Sequence, residues 1–242
     1  MLTKNNIFIP DLEVLRAEHN SALASIEKVS DEEKKREEWF KSRIGKFTSS
    51  ELGRLMTYED KINELPKGAL TYIEEKALEI MTDGRCVKNF SNDSMDRGNE
   101  KELEGIAAFE EKYGVKCECT GPDQVFIQLC SYFGGTPDGL IADEDLAEVK
   151  CPDSKTHLFR IKNIKSQADF KKHEKDYYWQ IQGNLLASGR KRCFYIDYDD
   201  RFVNPDLQLF VIEIHRDEED IQKAKTRLGM AEKLKQNFLN NW

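Results

Sequence analysis

Residues 134–152 read "GGTPDGLIADEDLAEVKCP", two short apolar runs on either side of an acidic turn. Each run has strand length and "DED" suits a reversal, so the stretch predicts a β-hairpin. Its second arm is odd for a strand meant to pack, because Glu148 and Lys150 interrupt Ala147, Val149 and Cys151. Alternate side chains of a strand share a face, so Glu148 and Lys150 project together while Val149 points into the opposite core. Nine residues separate Asp138 from Glu148, and a hairpin brings the two alongside. Paired carboxylates without a cation repel, and burial makes that costly. A divalent metal removes the cost; Mg2+ favours one or two carboxylates with water and substrate phosphate. A lysine two residues from a ligand orients or helps deprotonate an attacking water, or stabilises developing charge. The competing reading is a surface hairpin with a solvated Glu–Lys pair. Against it stand the apolar neighbours and the Gly-rich first arm, where a ligand backbone has room to approach.

Three further segments carry candidate residues. Glu102, Ile106, Phe109 and Tyr113 recur at helical spacing, so an acid lies in line with an apolar stripe. Such an acid either snorkels at a helix end or serves a buried site. In "RIGKFTSSELGRLM", Thr48 and Glu51 have the spacing of a capping box, which makes Ser49 and Ser50 the first helical residues. Free backbone N–H groups there favour a phosphate, Ser50 adds a hydroxyl, and Arg43 offers a bidentate clamp. A plain cap beside a surface arginine is the alternative. "DYYWQIQGNLLASGR" sets three aromatics beside Gln180 and Gln182, and Gln180 is a neutral donor able to fix a water or phosphate.

The rest of the chain reads as flanking structure. Helices are expected over 11–29, 66–81, 96–114 and roughly 174–188. Strands are expected at 115–120, 124–130, 132–142, 146–152, 193–199 and 208–214. The final helix carries an apolar stripe of Ile221, Ala224, Leu228, Ala231, Leu234 and Phe238. Helices on both sides of a run of strands indicate an α/β fold with a central mixed sheet.

Composition narrows the class. At 242 residues, 39% hydrophobic and 34% charged, the chain is long enough for a full core and is not of disordered composition. No apolar run approaches the roughly 18 residues of a membrane span, and "MLTKNNIFIP" lacks the pattern of a secretory signal, so no membrane association and a cytoplasmic location are expected. Six cysteines without a Cys-x-x-Cys pair, and four histidines, read as free thiols rather than a structural zinc site. The net charge of −8 argues against nucleic acid until the local pattern is considered. Residues 153–175 hold seven Lys or Arg against three acids, and Arg190, Lys191 and Arg192 form a second basic knot.

Taken in order, "WFKSRIGKFTSS", "RGNEKELEG", "GGTPDGLIADEDLAEVKCP", "YYWQIQGNLLASG" and "RKRCFYIDYDDRF" resemble the lambda-type phage exonucleases, the viral recombinase family of PD-(D/E)xK nucleases. The resemblance runs from about Trp39 to Asp200. It implies a restriction-endonuclease-like fold over residues 39–242, preceded by a helical extension over 1–38 with no assigned role. It implies metal ligation by Asp138, Glu148, the Val149 carbonyl and Glu102, catalysis by Lys150, and Gln180 closing the active-site series. Arg43, Ser50 and Thr136 match the family's pocket for the 5′-phosphate of a DNA end. The activity implied is Mg2+-dependent 5′→3′ digestion of duplex DNA, with Mn2+ as a substitute ion. A homotrimer, a partner annealing protein for the 3′ strand and work in a host cytoplasm are implied with it. Other readings are a RecB-like nuclease with an iron–sulfur cluster, a restriction-type endonuclease and a non-catalytic end-binding scaffold.

Overall fold

The computed structural model describes residues 34–35, 37–87 and 93–241, with the side chains of 93–100 excepted. The helix expected over 11–29 lies outside the described residues. Two units divide the chain, one ending at Lys41 and one beginning at Ser42. In the first, residues 34–35 and 37–41 are helical and Lys41 pairs with Glu37 at 2.7 Å.

The second unit is built on a five-stranded sheet of order β2-β5-β6-β7-β8: Cys117–Glu118, Gly139–Ile141, Asp145–Lys150, Arg192–Tyr198 and Leu209–His215. β6 and β7 run parallel and the other neighbours antiparallel, so the sheet is mixed. Period-two alternation divides the core. Leu146, Cys193, Tyr195 and Ile214 face one side, with Trp179, Ile181 and Leu185 of helix α5 (Lys175–Ser188) and Ile221, Ala224 and Leu228 of α6 (Glu218–Asn240). Ala147, Val149, Phe194 and Ile196 face the other, against Ile106 and Phe109 of α2 (Asp93–Tyr113). Each leucine, isoleucine, valine and phenylalanine among them contributes roughly 1.5–3 kcal/mol by leaving water. The fold is the expected mixed sheet between helices.

Gly114, at φ +66, ends α2 where the sequence places a stop. Helix α1 (Lys67–Met81) starts after Pro66 as read. The run 132–142 is not one strand. It divides into β4 (Phe133–Gly135) and β5, and β4 belongs to a second sheet of order β1-β4-β3, with β1 at Phe47–Thr48 and β3 at Ile127–Cys130. Thr136, Pro137 and Asp138 form the crossing between sheets, and Pro137 has no N–H to give to either ladder.

Two helices went unread, α3 (Ser154–Asn163) and α4 (Gln167–His173). Their caps were legible: Asp153 accepts from the backbone of Lys155 and Thr156, and Ser166 from Asp169. Both helices are short and basic, so no apolar period announces them. The stripe of α6 buries Ile221, Ala224, Leu228 and Ala231 as expected, but the buried face does not follow apolarity throughout. Leu234 is 36% exposed, whereas Arg227 and Lys235 are buried. The terminal nitrogens of Arg227 donate to the carbonyls of Leu55, Thr57, Tyr58 and Lys61, while its Nε is buried without a partner; Lys235 donates to the carbonyl of Gly45 at 2.6 Å and pairs with Glu232 at 2.8 Å. Among the described residues no helix is long and apolar enough to cross a membrane.

Candidate active site

The hairpin forms as the alternation requires, Gly139 opposite Ala147 and Ile141 opposite Asp145. The Asp138 backbone N–H donates to Ala147 O at 3.1 Å, which seats its carboxylate beside β6. Asp138 Oδ2 accepts from the Val149 backbone N–H at 2.8 Å and lies 3.5 Å from Lys150 Nζ. Lys150 Nζ also donates to Glu148 Oε1 at 2.5 Å and to the Val149 carbonyl at 2.9 Å. One ammonium thus sits among the oxygens of Asp138, Glu148 and Val149.

The helices complete the group. From α5, Gln180 Nε2 donates to Glu148 Oε1. Its apparent twin Gln182 faces elsewhere, bonded to His215 O and the Asp217 N–H, because two residues along a helix turn a side chain well away. From α2, Glu102 enters through Gln124, whose amide donates to Glu102 Oε1 at 2.7 Å and to Asp138 Oδ1 at 3.2 Å. Ile106 and Phe109 below Glu102 are buried as the stripe requires, while Tyr113 at the far end is 45% exposed. The structure therefore brings together Asp138, Glu148, Val149, Lys150, Glu102 and Gln180.

Electrostatically the group is too acidic for its own cation. Burial first, and then Asp138, push Glu148 up to about 8 and Glu102 up to about 7. Burial pulls the Lys150 ammonium down, but Asp138 and Glu148 outweigh it and hold it above the ordinary lysine range. Among the described residues no three His, Cys, Asp or Glu side chains stand together as a ready metal cage. The donor set nevertheless suits a hard divalent cation. It offers three carboxylates and a carbonyl, all oxygen, and two of the carboxylates are held at a cost that a cation would relieve.

Arg43, Ser50 and Thr136 occupy a second region. β1 and β4 pair in parallel, Thr48 opposite Gly134, so Ser50 and Thr136 each lie two residues past the same pair. The capping box does not form. Ser49–Leu55 is a 3-10 helix, and the Thr48 side chain makes no cap bond but meets Ser50 Oγ at 3.1 Å. Glu51 instead pairs with Arg54 and Lys76, cations that its turn and α1 place within reach. Ser50 is exposed, and Thr136 Oγ1 is buried without a hydrogen-bond partner. Burial lowers Arg43 against the pull of Tyr72, Glu51 and Glu79.

The model of the YqaJ-like viral recombinase domain matches residues 38–191, well over half of the chain. The chain belongs to the YqaJ-like viral recombinase family. The alkaline exonuclease LHK-Exo of Laribacter hongkongensis is 28% identical, with a TM-score of 0.71 over 85% of this chain and 95% of its own. LHK-Exo in complex with dAMP is 29% identical, with a TM-score of 0.72 over the same shares. A phage-related exonuclease from Haemophilus somnus 129PT shares the fold at 16% identity, with a TM-score of 0.64 over 81% of this chain and 96% of its own. No curated protein matches the sequence. Within this YqaJ-like domain, sequence reasoning missed Gln124 and Asn184, whose side-chain amide donates to Glu148 Oε2 at 3.1 Å. Nothing local marks Gln124, which acts across a loop. Asn184 does lie one helical turn after Gln180, a signal that was available.

The basic clusters are spent only in part inside the fold. Arg160 bonds Asp197 and Glu174, and Lys171 bonds Asp220. Arg190 donates to the carbonyls of Ile141, Ala142 and Asp145, Lys191 meets Glu144, and Arg192 pairs with Asp145 and Glu213. Lys155, Lys162, Lys165, Lys172 and Lys175 remain exposed, as does Lys191.

Proposed function

We propose that this protein is a metal-dependent exonuclease that digests duplex DNA from the 5′ end, releases 5′-mononucleotides and leaves a 3′ single strand for an annealing protein. The convergence of Asp138, Glu148 and Lys150 with Glu102 and Gln180 carries the reading, in a chain whose family and fold are those of phage-type exonucleases. Asp138, Glu148, the Val149 carbonyl and Glu102 hold the ion, which is Mg2+, with Mn2+ as a substitute. Bound there, the ion polarises the scissile phosphate and acidifies a water. Lys150 supplies a fixed positive charge and a donor beside the reacting phosphate. Gln180 holds Glu148 and offers a neutral donor at the same edge.

Arg43, Ser50 and Thr136 receive the terminal 5′-phosphate. The unpartnered hydroxyl of Thr136 and the burial cost borne by Arg43 support this, since an anion compensates both. The domain spans 39–242 with 1–38 as an extension, works as a homotrimer and acts in a host cytoplasm. Three substrates with Mg2+ test the whole reading: linear 5′-phosphorylated duplex, the same with 5′-hydroxyl ends, and a closed circle. The expected result is loss of the phosphorylated duplex first, with the circle intact. Cutting of the circle would make the protein an endonuclease, and no cutting at all would make it a binding scaffold.

A further inference from the structure

Glu148 is fully buried, and its two oxygens are held unequally. Lys150 and Gln180 both bond Oε1, whereas Asn184 Nδ2 alone bonds Oε2, at 3.1 Å. The terminal torsion of a glutamate is broad and roughly two-fold. Two donors on one oxygen fix that oxygen's place but leave the rotation of the carboxylate plane loose; a donor on the other oxygen sets it.

Asn184 is itself 1% exposed, and its Oδ1 is buried with no partner. That oxygen is wedged against β4 and the 3-10 helix. A Cβ placed on Gly135 would lie 2.3 Å from Asn184 Oδ1 and 2.3 Å from Ser49 Oγ. Leaving an amide oxygen unsatisfied in the interior costs about 1–3 kcal/mol, which leucine, with the same branching of heavy atoms, would avoid. The donor end of Asn184, rather than its packing, accounts for an amide at this position.

We infer that Asn184 is a positioning residue: by fixing the plane of the Glu148 carboxylate it sets the affinity of the cleavage centre for its divalent ion, without affecting capture of the DNA end. This rests on the reading of Glu148 as a metal ligand.

The test is calorimetric titration of Mn2+ into the wild type, Asn184→Leu, Asn184→Ala and Glu148→Gln. Affinity for a 5′-phosphorylated duplex is measured alongside in chelator. Both Asn184 variants should bind Mn2+ at least about tenfold more weakly, the usual loss when a ligand's outer partner is removed. Metal-free affinity for the DNA end should stay within about twofold, since no phosphate contact has been removed. Asn184→Ala covers the case in which leucine presses on Gly135 and Ser49. Wild-type Mn2+ affinity in a folded variant overturns the inference. So does an equal loss of end affinity, or misfolding of both variants, either of which would make Asn184 merely structural. If Glu148→Gln itself binds Mn2+ like the wild type, the site reading fails and takes this inference with it. If Glu148→Gln loses the ion and the Asn184 variants keep it, only the role of Asn184 fails.

Discussion

Two clusters of buried charge lie side by side in the sheet, where Lys150 on β6 is level with Asp197 on β7. Around Lys150 stand Asp138 and Glu148, with Glu102 tied in through Gln124. Around Asp197 each carboxylate oxygen has its own donor: His157 Nδ1 meets Asp197 Oδ1 at 2.8 Å, and Arg160 joins Asp197 Oδ2 at 2.9 Å to both oxygens of Glu174. The first cluster drives its glutamates up toward neutrality. Nearby, Asp199 goes the other way: burial opposes its charge, yet the Arg201 fork holds it down at about 2. A cluster built for stability gives every acid a donor of its own. The one beside it leaves an excess of negative charge at a place where strand, loop and helix all converge, and that imbalance distinguishes a working site from a structural one.

Charge removal should therefore have opposite consequences in the two places. Glu148→Gln and Lys150→Ala are expected to lower the cleavage rate by at least about 100-fold, on the scale of losing a group that stabilises the transition state. Glu148→Gln should do so without lowering the thermal midpoint, because it removes a buried charge; a clear fall would mean that the acidic cluster is structural after all. Arg160→Met should instead cost roughly 3–5 kcal/mol in a urea titration by stripping Glu174 of its guanidinium partner and leaving Asp197 with His157 alone, while the folded fraction keeps its Mg2+ requirement. Unchanged stability would erase the contrast between the clusters.

Arg43→Ala should reduce the preference for 5′-phosphorylated over 5′-hydroxyl ends by about tenfold, the worth of a charge-assisted hydrogen bond, with little change on hydroxyl ends. Equal loss on both ends would separate Arg43 from the phosphate.

The smallest effect is in pH. Glu148 is raised from 4.5 to about 8, so the folded state binds its proton more tightly than the unfolded state does. Its contribution to stability is whole below pH 4.5 and is lost as pH rises through about 8. The stability advantage of Glu148→Gln over the wild type should grow across that window. Asp199, lowered from 3.8, contributes above pH 3.8 and loses it as pH falls toward 2, so the destabilisation by Asp199→Asn should shrink on acidification. Melts of both variants from pH 3 to 9 give the two opposed slopes, and parallel slopes would contradict the assignment.

Much of this was legible because strands and helices repeat locally. Period two alone sends Glu148 and Lys150 to one face and Val149 to the other, and the turn of 142–144 then delivers Asp138. Helical spacing puts Glu102 above Ile106 and Phe109. The same logic placed Leu234 in the buried stripe of α6, yet it is 36% exposed while Arg227 and Lys235 are buried. Both are buried because distant carbonyls, at Gly45 and between Leu55 and Lys61, accept their protons. It also ran 132–142 as one strand, since nothing in "YFGGTPDGLIA" records that its halves join different sheets. By itself the sequence determined the hairpin, the order of the motifs and the acids that they carry, because each depends on neighbours a few residues away. Only the tertiary structure decided that Gln124 joins two acids, that Asn184 rather than Gln182 reaches Glu148, and that Arg160, Lys171, Arg190 and Arg192 serve the fold. Each of those depends on a hydrogen-bond partner brought in from another part of the chain, and a side chain's polarity does not reveal which partner it will meet.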